Sequence, residues 1–126
     1  MRLTGLRFVL AISCLLALVV AACATGRTTA WEGRWWEAGD DTIYTLRLEN
    51  NELRVVEAFC RQDSEDYPVR SSGWRNDTFT WTIDVPSTGY SVTYEVSSVT
   101  HNSMSVRWTN GFTSGEDILQ RVDSKE

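Results

Sequence analysis

The stretch "TFTWTIDVPSTGYSVTYEV", residues 78–96, decides the fold class. Apolar and aromatic side chains recur in it at every second position, first in "FTWTIDV" and again in "YSVTYEV", with threonine, serine or an acid between them. Strict alternation of this kind, rich in threonine, valine and aromatic residues, predicts half-buried β-strands. The segment 86–89 between the two runs supplies turn residues. The stretch therefore predicts two adjacent antiparallel strands.

The same rhythm continues through the rest of the chain after residue 30. No window there has the period of an amphipathic helix, and turn residues such as Asn50–Asn51 and Asn110–Gly111 separate the runs. In the third run the apolar residues change face between Val55 and Val56, which predicts a β-bulge. Eight strands are predicted, near residues 31–36, 42–49, 52–60, 67–74, 78–85, 90–99, 103–109 and 116–122.

Eight short antiparallel strands can form a sandwich or an up-and-down meander that closes into a barrel. Closure removes both exposed sheet edges, and every connection is short enough to join neighbouring strands. We therefore expect an all-β, eight-stranded antiparallel meander closed into a small barrel.

The first 22 residues describe a secretory signal. "MRLTGLR" carries Arg2 and Arg7 and no acid, and residues 8–22 are uncharged and almost wholly apolar. A charged start, a short apolar run and a small-residue end are typical of such signals. The run is shorter than the roughly 20 apolar residues of a transmembrane helix, so we favour a signal peptide over a retained helix.

The end of this signal, Val20-Ala21-Ala22-Cys23, resembles the lipobox of bacterial lipoproteins. The resemblance implies cleavage before Cys23, acylation of the Cys23 thiol and a lipid anchor in the cell envelope. By the same analogy, Ala24 implies the periplasmic face of the outer membrane rather than the inner membrane. An ordinary signal cut after Ala24 is the alternative, because Ala-Cys-Ala also fits the small-x-small pattern.

Two or three acyl chains on Cys23 would make the attachment effectively permanent. Residues 23–30 then form the lipidated cysteine and a short tether, whose seven residues reach at most about 25 Å. The folded part, residues 31–126, is expected to be a single β-barrel domain close to the bilayer surface.

Charge and cysteine content exclude several classes of protein. Removal of residues 1–22 takes away two arginines and no acid, so ten basic and seventeen acidic side chains remain, a formal charge of −7. A chain of this charge has no footprint for nucleic acid; a cationic partner is allowed by it but not implied. With Cys14 in the signal and Cys23 lipidated, Cys60 is left without a disulfide partner. We expect Cys60 to be a small buried side chain rather than a reactive thiol.

A second resemblance concerns the two ends of the folded part. Gly33-Arg34-Trp35 looks like the Gly-x-Trp that opens the first strand of lipocalins and related calycin barrels, in which the tryptophan lies beneath an arginine of the last strand. Arg121 is in the corresponding place, so the resemblance implies a Trp35–Arg121 stack. The chain is shorter than a lipocalin. Its length is nearer to that of avidin-like barrels and of small lipoproteins that inhibit lysozyme. It lacks the disulfide and the lysine-bearing loop that those lysozyme inhibitors share.

Catalytic and metal-binding patterns are weak. The single histidine, His101, falls in a predicted turn, and the cysteine and histidine residues show no zinc-ligand spacing. The acid pairs lie between predicted strands without the alternating ligands of a calcium loop. They are Asp40-Asp41, Glu65-Asp66 and Glu116-Asp117. We therefore expect neither an enzyme nor a metal or cofactor.

An eight-stranded barrel is just wide enough to be filled by side chains or to hold one small ligand. The first hypothesis is a lipocalin-like carrier of a small apolar ligand or lipid fragment. Its pocket would be lined by Trp74, Trp81, Tyr90, Tyr94 and Trp108. The alternative is that these aromatics are the core of a solid barrel, which acts as an interaction or inhibitor module on an envelope protein. In either case the bilayer is a partner through Cys23.

Overall fold

The computed structural model describes residues 30–122; the predicted signal, Cys23 and the tether up to residue 29 lie outside the described residues. Every element between Gly33 and Arg121 is a β-strand. The nine strands are β1 (Gly33–Glu37), β2 (Thr42–Glu49), β3 (Glu52–Cys60), β4 (Glu65–Asp66), β5 (Val69–Arg75), β6 (Thr78–Val85), β7 (Tyr90–Val99), β8 (Ser103–Thr109) and β9 (Ser114–Arg121).

These strands form one antiparallel sheet in the order β4-β3-β2-β1-β9-β8-β7-β6-β5. Strands that are consecutive in sequence lie side by side, except β4 and β5, and β1 also pairs with β9, through Trp35 with Arg121 and Trp36 with Gln120. The first and last long strands are thus joined. The all-β antiparallel meander predicted from the alternation is confirmed.

The count of eight strands was wrong by one. The run predicted near 67–74 corresponds to β5, which pairs with β6. A break separates it from the additional strand β4, which pairs with β3. Pro68 lies at the break, and proline has no backbone N–H to donate to a ladder. β4 and β5 are the first and last strands in the order of the sheet. Where the two ends of the curled sheet meet, no β-ladder joins β3 to β5. We call this junction the seam.

The β2–β3 turn and the bulge in β3 lie where the sequence predicted them, and two further register shifts, at Val69/Ser71 and Val96/Ser98, were not predicted. Asn50 and Asn51, with φ of 53° and 65°, form the two-residue connection between β2 and β3. Positive φ at both central residues is the conformation of a type I′ hairpin turn. The register of β2 against β3 shifts so that Thr45 faces Glu57 and Leu46 faces Val55, which leaves Val56 as the extra residue of the predicted bulge.

Inward side chains fill the space that the curled sheet encloses. Trp35, Tyr44, Phe79 and Trp81 are each 0% exposed. Further apolar side chains that are at most 1% exposed lie on β2, β3, β6, β8 and β9: Leu46, Leu53, Ile83, Met104, Val106 and Leu119. The described interior is therefore a packed core of aromatic and branched side chains.

Candidate functional site

One end of the curled sheet is capped by Arg121. Its guanidinium carbon lies 4.3 Å from the centroid of the Trp35 ring, in the stacked arrangement expected from the sequence. The same guanidinium donates hydrogen bonds to three backbone carbonyls: His101 at 2.7 Å, Glu32 at 2.7 Å and Ala30 at 2.8 Å. Arg121 thus joins the segment that enters the domain to the β7–β8 turn. We call this the arginine end.

Four of the five aromatic residues predicted to line a pocket belong to the core or pack against it, and the fifth, Tyr90, is exposed. Trp81 and Tyr94 are brought together, stacked with centroids 5.0 Å apart and planes 12° apart, but both are buried in the core. Trp74 packs against Trp31 near the arginine end, with ring centroids 5.1 Å apart. Tyr90 is 47% exposed and contacts Phe112 in the β8–β9 turn.

Trp108, the fifth of these residues, is half-buried and covers Gly115 of β9. A Cβ atom at position 115 would lie 2.8 Å from Cζ2 of the Trp108 ring. The ring therefore lies directly on the glycine, and a larger residue there would displace it.

A buried carboxyl group lies at the end of the sheet opposite the arginine end. Glu37 closes β1, is 4% exposed and points inward two residues after Trp35. Its Oε1 accepts from the hydroxyl groups of Tyr44 and Tyr94, at 3.0 and 2.9 Å, and the two hydroxyl oxygens are 2.8 Å apart. We call these three side chains the carboxyl–phenol cluster.

The surroundings of this cluster favour a protonated carboxyl group. Burial raises the pKa of Glu37, a hydrogen bond with Asp117 and the charge of Asp40 raise it further, and the two tyrosine hydroxyls offset part of the rise, so that the pKa is about 8. Burial also raises the pKa of Asp40. The phenolic pKa values of Tyr44 and Tyr94 are raised, chiefly by their burial. At neutral pH the cluster therefore holds a proton on Glu37.

Sequence reasoning did not single out Glu37, although a signal was present. Trp35 faces the core, and alternation along β1 places residue 37 on the same face. An acid at an inward position needs hydrogen-bond partners or a proton, and here it has both. Chemically, the cluster can bind and release a proton. The histidine that a catalytic relay would need, His101, lies at the arginine end, where its carbonyl accepts from Arg121.

A groove of about 580 Å³ follows the seam on the outside of the sheet. Its walls come chiefly from β3 and from residues 66–72 of β4, β5 and their connection, and they include the apolar residues Val55, Val56, Tyr67 and Val69. Three acids and a single base also line it: Glu49, Glu57, Asp66 and Arg54. We call this the seam groove.

Along the seam, side chains form some of the hydrogen bonds that backbone groups would form in a β-ladder. The backbone N–H of Val55 donates to Oγ of Ser72, at 3.1 Å, and the guanidinium of Arg54 donates to the carbonyl of Ser72. Nearer β4, the backbone N–H of Tyr67 donates to the carbonyl of Ala58 at 2.8 Å. The seam is thus held by a few polar contacts rather than by continuous strand pairing.

A second groove, also of about 580 Å³, crosses the outside of β7, β8 and β9 beside Ser97, Ser105 and Glu116. Each of these three strands is paired on both sides. Within residues 30–122, no three His, Cys, Asp or Glu side chains are grouped so that they could hold a metal ion. The same residues include no helix long and apolar enough to cross a bilayer.

Comparisons with known proteins yield no match: no protein family, no curated protein and no solved structure is significantly similar to this chain.

Proposed function

We propose that this protein is a lipoprotein of the bacterial cell envelope whose filled, barrel-like domain binds another envelope protein. The observation that carries the proposal is the packed interior. Trp81 and Tyr94, two of the side chains that a ligand pocket would need as its walls, are stacked on each other inside the core. A domain with such an interior acts through its surface.

The anchor in this proposal is acylated Cys23, on the outer membrane and facing the periplasm. The position of Ala30 supports a defined orientation on that membrane. Its carbonyl is held by Arg121, so the tether enters the domain at the arginine end. Because seven residues reach at most about 25 Å, the arginine end would face the bilayer. The carboxyl–phenol cluster would face away from it.

We further propose that the curled sheet is a reduced calycin-like barrel. The pairing of β1 with β9 and the Arg121–Trp35 stack support this architecture. In this view β4 and β5 are two halves of one strand, split at Pro68, and the seam is the place where a closed ladder has been interrupted. The surface at the seam is then the part of the barrel most altered from a closed cylinder.

A small apolar ligand is the alternative function. The aromatic content of the domain favours it, because aromatic walls with a few polar tips are typical of ligand pockets. In this structure, however, Trp81 and Tyr94 are part of the packed core, Trp74 and Trp108 pack against it, and Tyr90 is exposed. An interior ligand would need these residues to move apart.

Native mass spectrometry of the full-length lipoprotein, purified from its own envelope in mild detergent, tests the proposal. We expect the mass of the acylated chain, with a second polypeptide in a fixed ratio when the membrane is first treated with a cleavable cross-linker. A retained small molecule of a few hundred daltons, lost when the protein unfolds, would instead establish the carrier function. Palmitate labelling that is lost in Cys23→Ser tests the anchor separately.

A further inference from the structure

Two aromatic side chains are exposed together at the end of the sheet opposite the arginine end. The last residues of β7 lead to the turn that Arg121 contacts, so its first residue, Tyr90, lies at the opposite end, as does the β8–β9 turn with Phe112. Within residues 30–122 three large apolar side chains are exposed, and these two are in contact, with ring centroids 5.4 Å apart. Phe112 is 79% exposed. Contiguous exposed apolar surface is typical of interaction sites.

The inner face of two strands extends this pair into a larger apolar surface. Tyr90 lies across from Val85 of β6, and Val92 follows on the same face of β7. Both valines are partly buried and pack against the core. The inner face of β6 and β7 therefore continues past the packed interior into solvent. We call Val85, Tyr90, Val92 and Phe112 the aromatic rim.

Hydrogen bonds hold the backbone beneath both exposed rings. In the β8–β9 turn, Oδ1 of Asn110 accepts from the backbone N–H groups of Phe112 and Thr113, at 2.9 and 2.8 Å. The backbone N–H of Tyr90 donates to Oγ1 of Thr88 at 3.2 Å. Docking on the rim would therefore order little additional chain, which lowers the entropic cost of binding. Aromatic side chains that insert into a partner are among the residues that dominate the affinity of protein interfaces.

We propose that the aromatic rim is the surface on which the partner protein docks, and that this partner carries lysine or arginine side chains around an apolar pocket for Phe112. The inference rests on the proposed function and deepens it by naming the surface and the chemistry of the partner. In the orientation proposed above, the rim faces away from the bilayer and is open to other envelope proteins.

Charge at this end of the sheet favours a basic partner. The chain segments that connect the long strands here contain five acids and one arginine: 38–41, 61–68, 86–89 and 110–113. The arginine, Arg61, is paired with one of these acids, Asp41, at 2.9 Å. Glu65, another of the acids, accepts from the backbone N–H of Ser87 at 3.1 Å. This bond holds the acidic segment 61–68 beside the turn that precedes Tyr90.

The same charge disfavours the two other occupants of an exposed apolar surface. Two copies of the chain docked rim to rim would bring two acidic ends together, which is unfavourable. An anionic lipid surface would repel these acids as well. A basic protein surface would instead surround the aromatic pair with complementary charge, which favours specific docking and faster association.

Photo-cross-linking in the intact envelope tests the docking surface. In one version of the full-length lipoprotein, p-benzoylphenylalanine replaces Phe112. In the control it replaces Asp77, which is exposed in the β5–β6 turn at the arginine end. We expect a polypeptide to be cross-linked from position 112 and not from position 77, and mass spectrometry identifies it.

Four variants then measure the contributions of the rim and of its charge, with the identified polypeptide purified as the binding partner. Phe112→Ser should weaken binding about tenfold or more, the effect of losing an aromatic anchor. Ile118→Ser should leave binding unchanged, because Ile118 is the third exposed apolar side chain and lies on β9 outside the rim. Asp66→Asn should weaken binding about two- to fivefold, as should added salt, whereas Asp77→Asn should not.

The absence of a cross-link from position 112, or equal effects of Phe112→Ser and Ile118→Ser, would overturn the inference. A cross-link from position 112 to lipid or to a second copy of the chain would assign the rim to that occupant and overturn it too. Binding that is insensitive to salt and to Asp66→Asn would do the same, because the partner would lack the basic surface. A partner cross-linked from position 77 alone would leave the proposed function standing without this surface. No partner at either position, and none in the native mass spectrum, would overturn both.

Discussion

The guanidinium of Arg121 lies over the ring of Trp35, 4.3 Å from its centroid, and the two residues are also direct partners in the β1–β9 ladder. Backbone pairing, a cation–π contact and three hydrogen bonds to carbonyls therefore meet at one point, where the first strand is joined to the last. This is the contact most responsible for holding the curl of the sheet at the arginine end.

Replacing Arg121 with lysine should destabilise the domain by about 2 kcal/mol. An ammonium group lacks the planar fork that reaches three carbonyls at once, and it stacks less well on tryptophan. Urea unfolding followed by tryptophan fluorescence measures the change. Arg107→Lys is the control, because Arg107 is exposed and contacts only exposed Glu116, at 3.5 Å. Equal losses in the two variants would contradict the importance assigned to the stack.

Glu37 should make the domain less stable as pH rises from about 5 to 8. The pKa of Glu37 is about 8 in the folded state and 4.5 ordinarily, so between these values the folded protein binds the extra proton. The free energy of unfolding therefore falls with pH across that window. Asp40, whose pKa is also raised, contributes in the same direction.

Glu37→Gln should remove most of this dependence, because glutamine keeps an oxygen for the two tyrosine hydroxyls and has no proton to lose. Relative to wild type, the variant should gain roughly 3 kcal/mol between pH 5 and pH 8, since one pKa unit corresponds to about 1.4 kcal/mol. Thermal unfolding at several pH values measures it, with Glu95→Gln on the exposed face of β7 as the control. Parallel curves for wild type and Glu37→Gln would show that Glu37 does not titrate in this range.

Gly115→Ala should destabilise the domain by about 1–3 kcal/mol, the usual cost of adding an atom to a packed site. The new methyl group would meet the rigid ring of Trp108 at 2.8–3.0 Å. Gly39→Ala is the matched control, because a Cβ there would find only Asp117 at 3.8 Å. Chemical unfolding should show little change for Gly39→Ala. A Gly115→Ala protein as stable as wild type would mean that Trp108 is free to swing outward.

Cys60 should be protected from alkylating reagents in the folded protein. Its side chain is 2% exposed, and its Sγ lies 3.2 Å from the carbonyl oxygen of Asp40. If the Cys23 thiol is acylated as proposed, a maleimide should label Cys60 only after unfolding, in a mass measurement with and without urea. Rapid labelling of the native protein would show that the β3 end opens readily.

Much of the fold could be predicted because strand alternation is a local property. The two-residue rhythm of residues 78–85 predicted that Phe79, Trp81 and Ile83 share one face of a strand, and all three are buried. The bounds of five predicted strands agree with the structure, and the predicted burial of Cys60 is confirmed. Tyr90 follows the same rhythm but is exposed, because it is the first residue of β7 and lies beyond the packed interior.

Contacts between distant parts of the chain determine which strand ends lie in the packed interior. They also determine which side chains are brought together across the sheet. Glu37 is separated from Tyr94 by 57 positions, yet the two share a hydrogen bond. Only the tertiary structure could show that this inward acid has two phenol partners and lies near Asp117. The division of aromatic residues between core and surface likewise follows from the size of the enclosed space, which the sequence pattern does not specify.

The strands, their turns and the alternation of inner and outer faces follow from the sequence, since they depend on neighbouring residues and on backbone geometry. The packed interior, the burial of Glu37 between two phenols and the interruption of the sheet between β3 and β5 become visible only in the folded chain. Those properties arise from how tightly distant side chains pack and from which strand edges find partners. Neither is encoded in any single stretch of the chain.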